Sequence, residues 1–411
     1  MAIASRDLDR RPAVDGGAPA FPEGLPLTRP FTPDSAQTAA DVVKIMDGKQ
    51  MTNSSFVRAF EQRAAEYLDV RHCIAVSSCT AGLMLVLKAS DRSGDVVIPS
   101  FTFSATAHAV AWNGMRPVFA DVDPQTLTMS PAALERAIGV RTSAILATHL
   151  YGTPCDVELL EDIAETNGLR LFFDAAHAFG SKRGLKPIGG FGDAEVFSLS
   201  PTKVLATGEG GLVATNDDVL AERLRIGRDY GNPGDYDCRF VGLNARMSEF
   251  HAAVALRSLE TLDERIDHRN LLVDHYRRAL SRIPGIRFPY LREEDRSTYK
   301  DFTIMVDSVA FGVTARRLGL ALADEGIDTR RYYSPPVHEM KAYKHLAVSG
   351  RDLPVTIEVA DRVLTLPLAY DMTEDSVLRV ADAIERIHRF YESRSRSPRV
   401  MHGSTRPGDV A

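Results

Sequence analysis

The sequence predicts an α/β fold, in which a large domain with a mostly parallel mixed sheet flanked by helices precedes a smaller α+β C-terminal domain. Three observations lead to this prediction. Short apolar runs alternate with helical stretches as far as Asp217, which is the pattern of repeated strand–helix–strand units. The centres of these runs are apolar throughout, as expected for strands that are covered on both faces. Beyond Asp217 the pattern changes to amphipathic helices around one strand-like stretch.

Length and composition limit the class of protein before any motif is considered. The chain has 411 residues, which corresponds to two or three domains of roughly 100–200 residues each. It is 44% hydrophobic and 25% charged, and no apolar run approaches the roughly 20 residues that cross a bilayer. The formal net charge of −6 is too balanced for a general nucleic-acid binder. The four cysteines form neither a CxxC pair nor a metal-ligand cluster, and no signal peptide is recognisable, so we expect a cytoplasmic protein with no metal site.

The predicted large domain begins with the helix SSFVRAFEQRAAEYLDV at residues 54–70. Further helices are predicted to start near Thr80, to run through Trp112 and to cover ELLEDIAETN. Helices of this length between strands favour parallel pairing. The predicted strands are CIAVS ending at residue 77, VVIP at 96–99, PVFADVDP at 117–124, AILATHLYG at 144–152, LRLFFDAAHA at 169–178, AEVFSLS at 194–200 and GLVATND at 211–217.

The second part of the chain is predicted to open with a long amphipathic helix. It begins near Met247 and continues, with possible breaks, to about Ser281. The strand DFTIMVD, the helix ARRLGLALADEG and a closing helix over residues 374–392 follow. We therefore assign residues 25–245 to the large domain and 246–392 to the bridging helix and small domain. Residues 1–24 are predicted to be a flexible arm, and 393–411 a disordered basic tail.

Four motifs follow predicted strands, at the edge where open parallel sheets bind ligands. The first, SSCTAGL at 77–83, runs straight into a helix, so free N–H groups and the positive end of the helix dipole would face a phosphate. The alternative is a plain N-cap by Ser78 or Thr80. The motif lacks the GK[ST] ending of a P-loop, which argues against hydrolysis of nucleoside triphosphates.

The second and third motifs add aromatic side chains and a carboxylate. In PSFTFSAT, Phe101 and Phe103 fall on one side of an extended segment, where one could stack on a planar ring or both could belong to the core. In FFDAAHA, Asp174 ends a strongly apolar strand. It is either the cap of a following helix or a buried carboxylate that requires a cationic partner. His177 follows three residues later and could equally be a structural histidine.

The fourth motif, FSLSPTKVLATGEGG, places Lys203 after a strand end among Ser, Thr and Gly. A lysine in a partly desolvated cleft has a lowered pKa and can attack carbonyl groups; a surface lysine is the alternative. Pyridoxal 5'-phosphate requires a phosphate cradle, a stacking aromatic, an Asp for its pyridinium nitrogen and a Schiff-base lysine. The four motifs together therefore predict a pyridoxal-phosphate site.

From about residue 25 to 392 the chain resembles the DegT/StrS family of sugar aminotransferases, which are fold-type I pyridoxal-phosphate enzymes. The resemblance rests on many motifs in a fixed order. They are FVRAFEQRAAEYLDVRHCIAVSSCTAGL, VVIPSFTFSATAHAV, PVFADVDPQTLTM, THLYGTPCD, FFDAAHAFGS, FSLSPTKVLATGEGGLVATND, GLNARMSEFHAAVAL, GIDTRRYYSPPVH and LTLPL.

The resemblance implies roles for individual residues. Lys203 matches the lysine that binds the cofactor covalently, and Asp174 matches the partner of the pyridine nitrogen. His177 matches the residue near the phenolic oxygen, and Phe103 matches the ring-stacking aromatic. The residues that match phosphate-binding positions are Thr80 and Ala81, partly through their backbone N–H groups, Ser198 and, from the neighbouring subunit of a homodimer, Asn244.

Three positions depart from the family pattern. Cys79 stands where many members have Gly, and Ser200 stands where some have His. Lys300 occupies a place on the substrate side that is often held by His, so this departure bears on the substrate rather than on the cofactor. Relatives that dehydrate or deoxygenate sugars have His in place of the cofactor-binding lysine. Because Lys203 is intact, the resemblance favours transamination over dehydration.

The implied reaction transfers an amino group from an amino acid, L-glutamate, to a nucleotide-linked keto-sugar, with pyridoxamine 5'-phosphate as the intermediate form of the cofactor. SSCTAGL and FTFSAT resemble members that aminate C4, which favours a dTDP-4-keto-6-deoxyhexose in amino-sugar biosynthesis. A 3-keto sugar, an aminocyclitol precursor, sugar dehydration and a non-catalytic nucleotide-sugar sensor are the alternatives. The substrate is expected at the interface of a homodimer with shared active sites. Its candidate contacts, each of which could also be structural, are Arg246, Arg330, Tyr332 and Tyr333.

Overall fold

A computed structural model describes residues 11–346 and 353–396 of the chain. A seven-stranded sheet forms the centre of the larger part, and each of its strands overlaps one of the seven predicted runs. The strands are β1 (His72–Val76), β2 (Asp95–Pro99), β3 (Arg116–Ala120), β4 (Thr142–Thr148), β5 (Arg170–Asp174), β8 (Ala194–Ser198) and β9 (Gly211–Thr215), with a small hairpin of β6 (Lys182–Arg183) and β7 (Lys186–Pro187) between β5 and β8.

The sheet is mixed but mostly parallel, as predicted. Its order is β1–β9–β8–β5–β4–β2–β3, and the strands from β8 to β3 pair in parallel. β9 is antiparallel to both of its neighbours, β1 and β8. The carboxyl ends of six strands therefore meet at one edge, and the first residue of β9, Gly211, lies at the same edge.

Helices cover both faces of this sheet because alternate strand residues bury apolar side chains on opposite sides. In β1, Cys73 and Ala75 belong to one buried cluster, whereas Ile74 and Val76 belong to another. The first face is covered by α2 (Ser55–Leu68), α5 (Pro131–Ala137), α6 (Val157–Thr166) and α8 (Glu249–Leu259). The second face is covered by α3 (Cys79–Ala89), α4 (Ser104–Trp112) and α7 (Asp218–Gly227), while α1 (Ser35–Gly48) contacts α8.

The bridging helix, predicted from near Met247 to about Ser281 with possible breaks, has one break and forms two helices. α8 ends at Leu259, and α9 (Leu262–Leu280) begins after a break at Glu260 and Thr261. Leu262 at the start of α9 lies in the first core of the large domain, and Tyr276 near its end lies in the core of the C-terminal part. One helix thus contributes to both cores.

In its described residues, the C-terminal part contains a three-stranded antiparallel sheet and, after α9, four α-helices. DFTIMVD forms its central strand, and the two short outer strands were not predicted. The elements are β10 (Ile286–Arg287), β11 (Phe302–Val306), β12 (Val363–Leu366), α10 (Ser308–Phe311), α11 (Ala315–Asp324), α12 (Pro354–Arg362) and α13 (Glu374–Arg396).

Both predicted ends differ from the expectation where the structure describes them. Phe21 is buried in the core of the C-terminal part, and the carboxylate of Glu325 accepts hydrogen bonds from the amides of Ala13 and Ala20, both at 2.8 Å. Residues 11–24 of the predicted arm are therefore packed. Residues 393–396 of the predicted tail continue α13, whereas residues 1–10 and 397–411 lie outside the described part. Within the described ranges, no helix combines the length and apolar character needed to span a membrane.

Candidate active site

A cleft lies at the edge of the large sheet where the carboxyl ends of the parallel strands meet. Its cavity volume is about 270 Å³. Residues from four predicted strand-end motifs converge there, together with two segments of the C-terminal part. The lining residues are Ser78, Cys79, Thr80, Thr102, Phe103, Ala105, Thr148, Asp174, Ala176, His177, Ser198, Ser200, Thr202, Lys203, Glu209, Gly210, Lys300, Tyr332 and Tyr333.

The start of α3 forms one wall of this cleft. Ser78 is its N-cap, and its Oγ accepts a hydrogen bond from the amide of Ala81 at 3.1 Å. The amides before Ala81 belong to the first turn, where an α-helix supplies no partner of its own. The antiparallel β9 passes close by, since a Cβ on Gly211 would lie 2.5 Å from the carbonyl carbon of Ser78. This wall therefore combines the positive end of a helix dipole with a close backbone approach that only glycine permits.

Asp174 ends β5 inside the cleft and is only 3% exposed. Thr106 Oγ1 donates to its Oδ2 at 2.7 Å, and the Ala176 amide donates to its Oδ1 at 3.2 Å. Burial raises the pKa of Asp174, although these two hydrogen bonds and the charge of Lys203 oppose the effect. A buried carboxylate of this kind is stabilised strongly by a cation placed beside it.

Three threonine hydroxyls extend the support of this carboxylate. Thr106 Oγ1 lies 2.9 Å from Thr102 Oγ1, which lies 3.1 Å from Thr148 Oγ1. All three side chains are buried. The chain of hydroxyls joins the ends of β2, β4 and β5 and leaves Asp174 little freedom to move.

His177 lines the cleft as a neutral imidazole. Burial lowers its pKa well below the ordinary value, and the charges of Lys203 and Lys300 act in the same direction. Its Nδ1 accepts a hydrogen bond from the amide of Tyr151 at 3.1 Å. The proton of the neutral ring is therefore on Nε2, which makes His177 a hydrogen-bond donor.

Lys203 lies in the turn after β8, where its amide donates to the carbonyl of Ser200 at 3.0 Å. Burial lowers the pKa of Lys203 to about 8, and the like charge of Lys300 contributes next. At pH 7 a pKa of about 8 leaves roughly a tenth of the Lys203 side chains as the neutral amine, which is the nucleophilic form, against fewer than about one in a thousand for an ordinary lysine.

The aromatic residues separate into core and cleft positions. Phe101 is 1% exposed and belongs to the core, whereas Phe103 is 56% exposed and borders the cleft. Tyr333 contacts both rings, with centroids 6.2 Å from Phe101 and 6.0 Å from Phe103. Tyr332 also lines the cleft, so two of the four candidate substrate contacts are brought to it.

Four sequence-predicted residues do not line the cleft of the described chain. Ala81 is the third residue of α3, and its amide is bonded to the Ser78 hydroxyl. Asn244 is exposed and forms a backbone bridge with Asp229. The other two are engaged in ion pairs, Arg246 with Asp229 and Arg330 with Asp328.

Several cleft residues were missed by the sequence argument. Thr148 ends β4, but the predicted run AILATHLYG extends to residue 152, so the sequence did not mark Thr148 as the end of a strand. Thr102 and Thr106 lie within the quoted PSFTFSAT motif, but only the fold shows that the Thr106 hydroxyl donates to Asp174 and that the Thr102 hydroxyl is bonded to that of Thr106. The three departures from the family pattern, Cys79, Ser200 and Lys300, all line the cleft.

The donor set of the cleft fits pyridoxal 5'-phosphate. An amine with a lowered pKa, a buried carboxylate, an imidazole donor, an accessible phenyl ring and the first turn of a helix open on one cavity. These groups complement an aldehyde, a pyridinium nitrogen, a phenolic oxygen, a planar ring and a phosphate, respectively. Within the described residues, no group of three or more His, Cys, Asp or Glu side chains could hold a metal ion.

Comparison with known proteins gives extensive matches. Residues 33–385 match the DegT/DnrJ/EryC1/StrS aminotransferase family. The solved structure of DesI in the presence of its TDP-sugar product is 37% identical, covers 94% of this chain and 99% of that chain, and has a TM-score of 0.88. The structural match confirms the predicted fold class.

Two similar sequences differ in the sugar position that their names specify. The dTDP-4-amino-4,6-dideoxy-D-glucose transaminase of Escherichia coli is 32% identical over 359 residues, covering 87% of this chain and 96% of the relative. The dTDP-3-amino-3,4,6-trideoxy-alpha-D-glucose transaminase of Streptomyces venezuelae is 34% identical over 354 residues, covering 85% and 91%.

Proposed function

Because the chain belongs to the DegT/DnrJ/EryC1/StrS aminotransferase family, we propose that it transfers an amino group from an amino acid to a nucleotide-linked keto-sugar. Enzymes of this family depend on pyridoxal 5'-phosphate, and so does this one. In the proposed reaction the donor is L-glutamate and the acceptor is a dTDP-4-keto-6-deoxyhexose. The product serves amino-sugar biosynthesis, including that of antibiotics.

The observation that carries this proposal is the pairing of Lys203 with Asp174 in one cleft. Lys203 offers an amine with a pKa of about 8, and Asp174 offers a buried, hydrogen-bonded carboxylate. The bound cofactor supplies an electron-withdrawing ring that stabilises negative charge on the neighbouring carbon. Asp174 would hold the proton of the ring nitrogen, and Lys203 would bind the cofactor and later move the proton at the substrate carbon.

The other cleft residues would bind and orient the cofactor. The amides of the first turn of α3, with Thr80 and Ser198, would hold the phosphate. Phe103 would cover one face of the ring, and the Nε2–H of His177 would donate to the phenolic oxygen. We assign Ala81 a supporting role through its bond to Ser78, which fixes the turn.

Amination at C4 is supported by the motif forms and by the names of relatives. The Escherichia coli relative is named as a 4-amino transaminase, and DesI was solved with a TDP-sugar product. The Streptomyces venezuelae relative is named as a 3-amino transaminase, which makes a 3-keto sugar the second candidate. The cavity of about 270 Å³ is at the lower end of ligand-site volumes, so the nucleotide would extend beyond it.

We further propose that the active unit is a homodimer. Asn244 is exposed in the single chain and is therefore available to a neighbouring subunit. There it would reach the phosphate site of the partner. Arg246 and Arg330 are placed outside the cleft of their own chain, and we assign them to the nucleotide or sugar at the same interface.

The test uses the purified protein with L-glutamate and a panel of keto-sugars. We expect amination of the dTDP-4-keto-6-deoxyhexose, and a Lys203→Ala variant should lose at least about two orders of magnitude in turnover. Lys88→Ala, which removes an exposed lysine at the end of α3, should behave as wild type. Wild-type turnover by Lys203→Ala would refute the mechanism, and exclusive use of a 3-keto sugar would establish the second candidate.

A further inference from the structure

Lys300 is a second lysine in the cleft, and it comes from the C-terminal part rather than from the large sheet. It is 7% exposed and lines the same cavity as Lys203. Among the described residues that line the cleft, only these two carry positively charged side chains. Two ammonium groups in one desolvated cleft repel each other, so the position of Lys300 bears on the charge of Lys203.

The segment that carries Lys300 is fixed from both sides. Arg269 of α9, which is 6% exposed, donates to the carbonyl oxygens of Thr298 at 3.2 Å and of Lys300 at 2.9 Å. Thr298 Oγ1 donates to the carbonyl of His177 at 2.6 Å. The backbone of Lys300 is therefore tied to the cleft by the fold itself, and its charge is placed there in advance of any ligand.

Among the described residues, the side chain of Lys300 pairs with the carboxylate of its neighbour Asp301. The Nζ–Oδ1 distance is 2.8 Å, and Nζ lies 5.5 Å from the centroid of the Tyr332 ring. Asp301 Oδ2 is buried and has no hydrogen-bond partner among the described residues. This ion pair fixes the position of the Lys300 side chain, but Asp301 does not itself line the cleft, so the positive member of the pair is the one presented to Lys203.

The groups that face Lys203 act in both directions. After burial, Lys300 makes the largest contribution to the lowered pKa of Lys203, whereas Asp301, Cys79 and Asp174 raise it. His177 is neutral and adds no charge. A neighbouring cation is a known way to keep a lysine amine nucleophilic near neutral pH.

We propose that the Lys300–Asp301 pair sets the protonation of Lys203, with Lys300 favouring the neutral amine that captures the cofactor and Asp301 opposing it. This inference rests on the proposed function, since it assigns Lys203 to pyridoxal phosphate. In the capture step the nitrogen lone pair attacks the aldehyde carbon. A carbon–nitrogen double bond replaces the carbon–oxygen double bond, and the oxygen leaves as water with the two protons of the amine. Lys300 touches neither reacting atom and is a positioning residue.

The experiment measures capture of pyridoxal 5'-phosphate by the cofactor-free protein, without any sugar substrate. The rate is followed by absorbance between about pH 6 and 10, and its midpoint reports the Lys203 amine. Lys300→Met should move the midpoint upward by about one pH unit, which slows capture about tenfold at pH 7. Asp301→Asn should move it downward, and Lys300→Arg should restore the wild-type midpoint. Titrations of the cofactor itself are common to all variants and cancel in the comparison.

Variants of the adjacent residues Lys300 and Asp301 should shift the pH midpoint of capture in opposite directions. A purely structural role would not produce opposite shifts. Lys44→Met, which removes the exposed lysine that pairs with the buried Asp41 on α1, should leave the midpoint unchanged. If Lys300→Met does not fold, the pH midpoints of Lys300→Gln and Asp301→Asn are compared with that of the wild type instead. An unchanged midpoint in the Lys300 variants, or shifts of the same sign in both positions, would overturn the inference. Covalent capture by Lys203→Ala would instead overturn the proposed function.

Discussion

The charge state of Asp174 illustrates how single residues prepare the cleft to bind the cofactor. Its carboxylate is buried, and burial alone would favour the protonated form, which cannot stabilise a pyridinium ring. Thr106 opposes this through its hydroxyl at 2.7 Å, and Thr102 holds Thr106 in turn. The charge state of Asp174 therefore depends on a residue that has no chemical role of its own.

Removing the Thr106 hydroxyl tests this dependence. Thr106→Val leaves the carboxylate short of a charge-assisted hydrogen bond worth about 1.5–3 kcal/mol, so we expect kcat/KM to fall by about 10- to 100-fold. The pKa of Asp174 rises further in this variant, and the affinity for pyridoxal phosphate should fall in parallel. Thr106→Ser keeps a hydroxyl and should recover most of the activity. Equal kinetics for the Val and Ser variants would contradict the assigned support.

The sequence alone could identify residues whose side-chain chemistry is unusual at their position. Lys203 and Asp174 stand out because a lysine or an aspartate at an apolar strand end needs an explanation. The assignment of Phe101 to the core and Phe103 to the cleft required the fold, since both are phenylalanines two residues apart. The role of Thr106 could not be predicted from the sequence either. A threonine in a helix is ordinary until its hydrogen-bond partner is known.

At the scale of elements, the N-terminus of α3 contributes both to the stability of the fold and to the proposed phosphate site. Ser78 caps the helix at 3.1 Å from the Ala81 amide and also lines the cleft. Ser130 caps α5 in the same way, at 3.4 Å from the Ala133 amide, but lies outside the cleft lining. The two serines form a matched pair that separates the helix cap from the binding role.

We expect Ser78→Ala and Ser130→Ala each to lower the free energy of unfolding by about 1 kcal/mol, as loss of an N-cap does. Only Ser78→Ala should also weaken binding of pyridoxal phosphate, because its cap shapes the turn that holds the phosphate. Thermal unfolding of the cofactor-free protein and titration with the cofactor measure the two effects. Equal binding by both variants would show that the cap plays no part in the phosphate site.

Element prediction succeeded where apolar runs were long and failed where pairing decided the outcome. All seven strands of the large sheet were found because each is an apolar run between turn residues. The antiparallel direction of β9 was not predicted, since its sequence is as apolar as those of the strands that pair in parallel. β10 has two residues and exists only because β11 lies beside it. The break before α9 at Thr261 interrupts a continuous amphipathic pattern and has no Gly or Pro to mark it.

For the whole molecule, the central question is whether two chains build each site. In the proposed homodimer, Lys203 of one subunit and Asn244 of the other serve the same cofactor. A dimer of this kind has two equivalent mixed sites, because the same surface is used twice. Loss of either residue by itself should inactivate both sites.

Mixed dimers distinguish a site that is shared between two subunits from a site that is built by one chain. A purified heterodimer of Lys203→Ala and Asn244→Ala subunits contains one doubly altered site and one intact site, so we expect about half of the wild-type turnover per dimer. Each variant alone should stay inactive under the same conditions, which serves as the control. An inactive heterodimer, or a fully active monomer, would contradict the shared site.

The position of β9 in the sheet has a consequence for how the chain is made. β1 is synthesised early, but its neighbour β9 begins only at Gly211, and the same strand also covers the edge of β8. Until the ribosome has delivered residues 211–215, both strands expose unpaired backbone edges, which are prone to wrong pairing. A pause in translation between the synthesis of β1 and that of β9 lengthens the interval during which the nascent chain is open to aggregation.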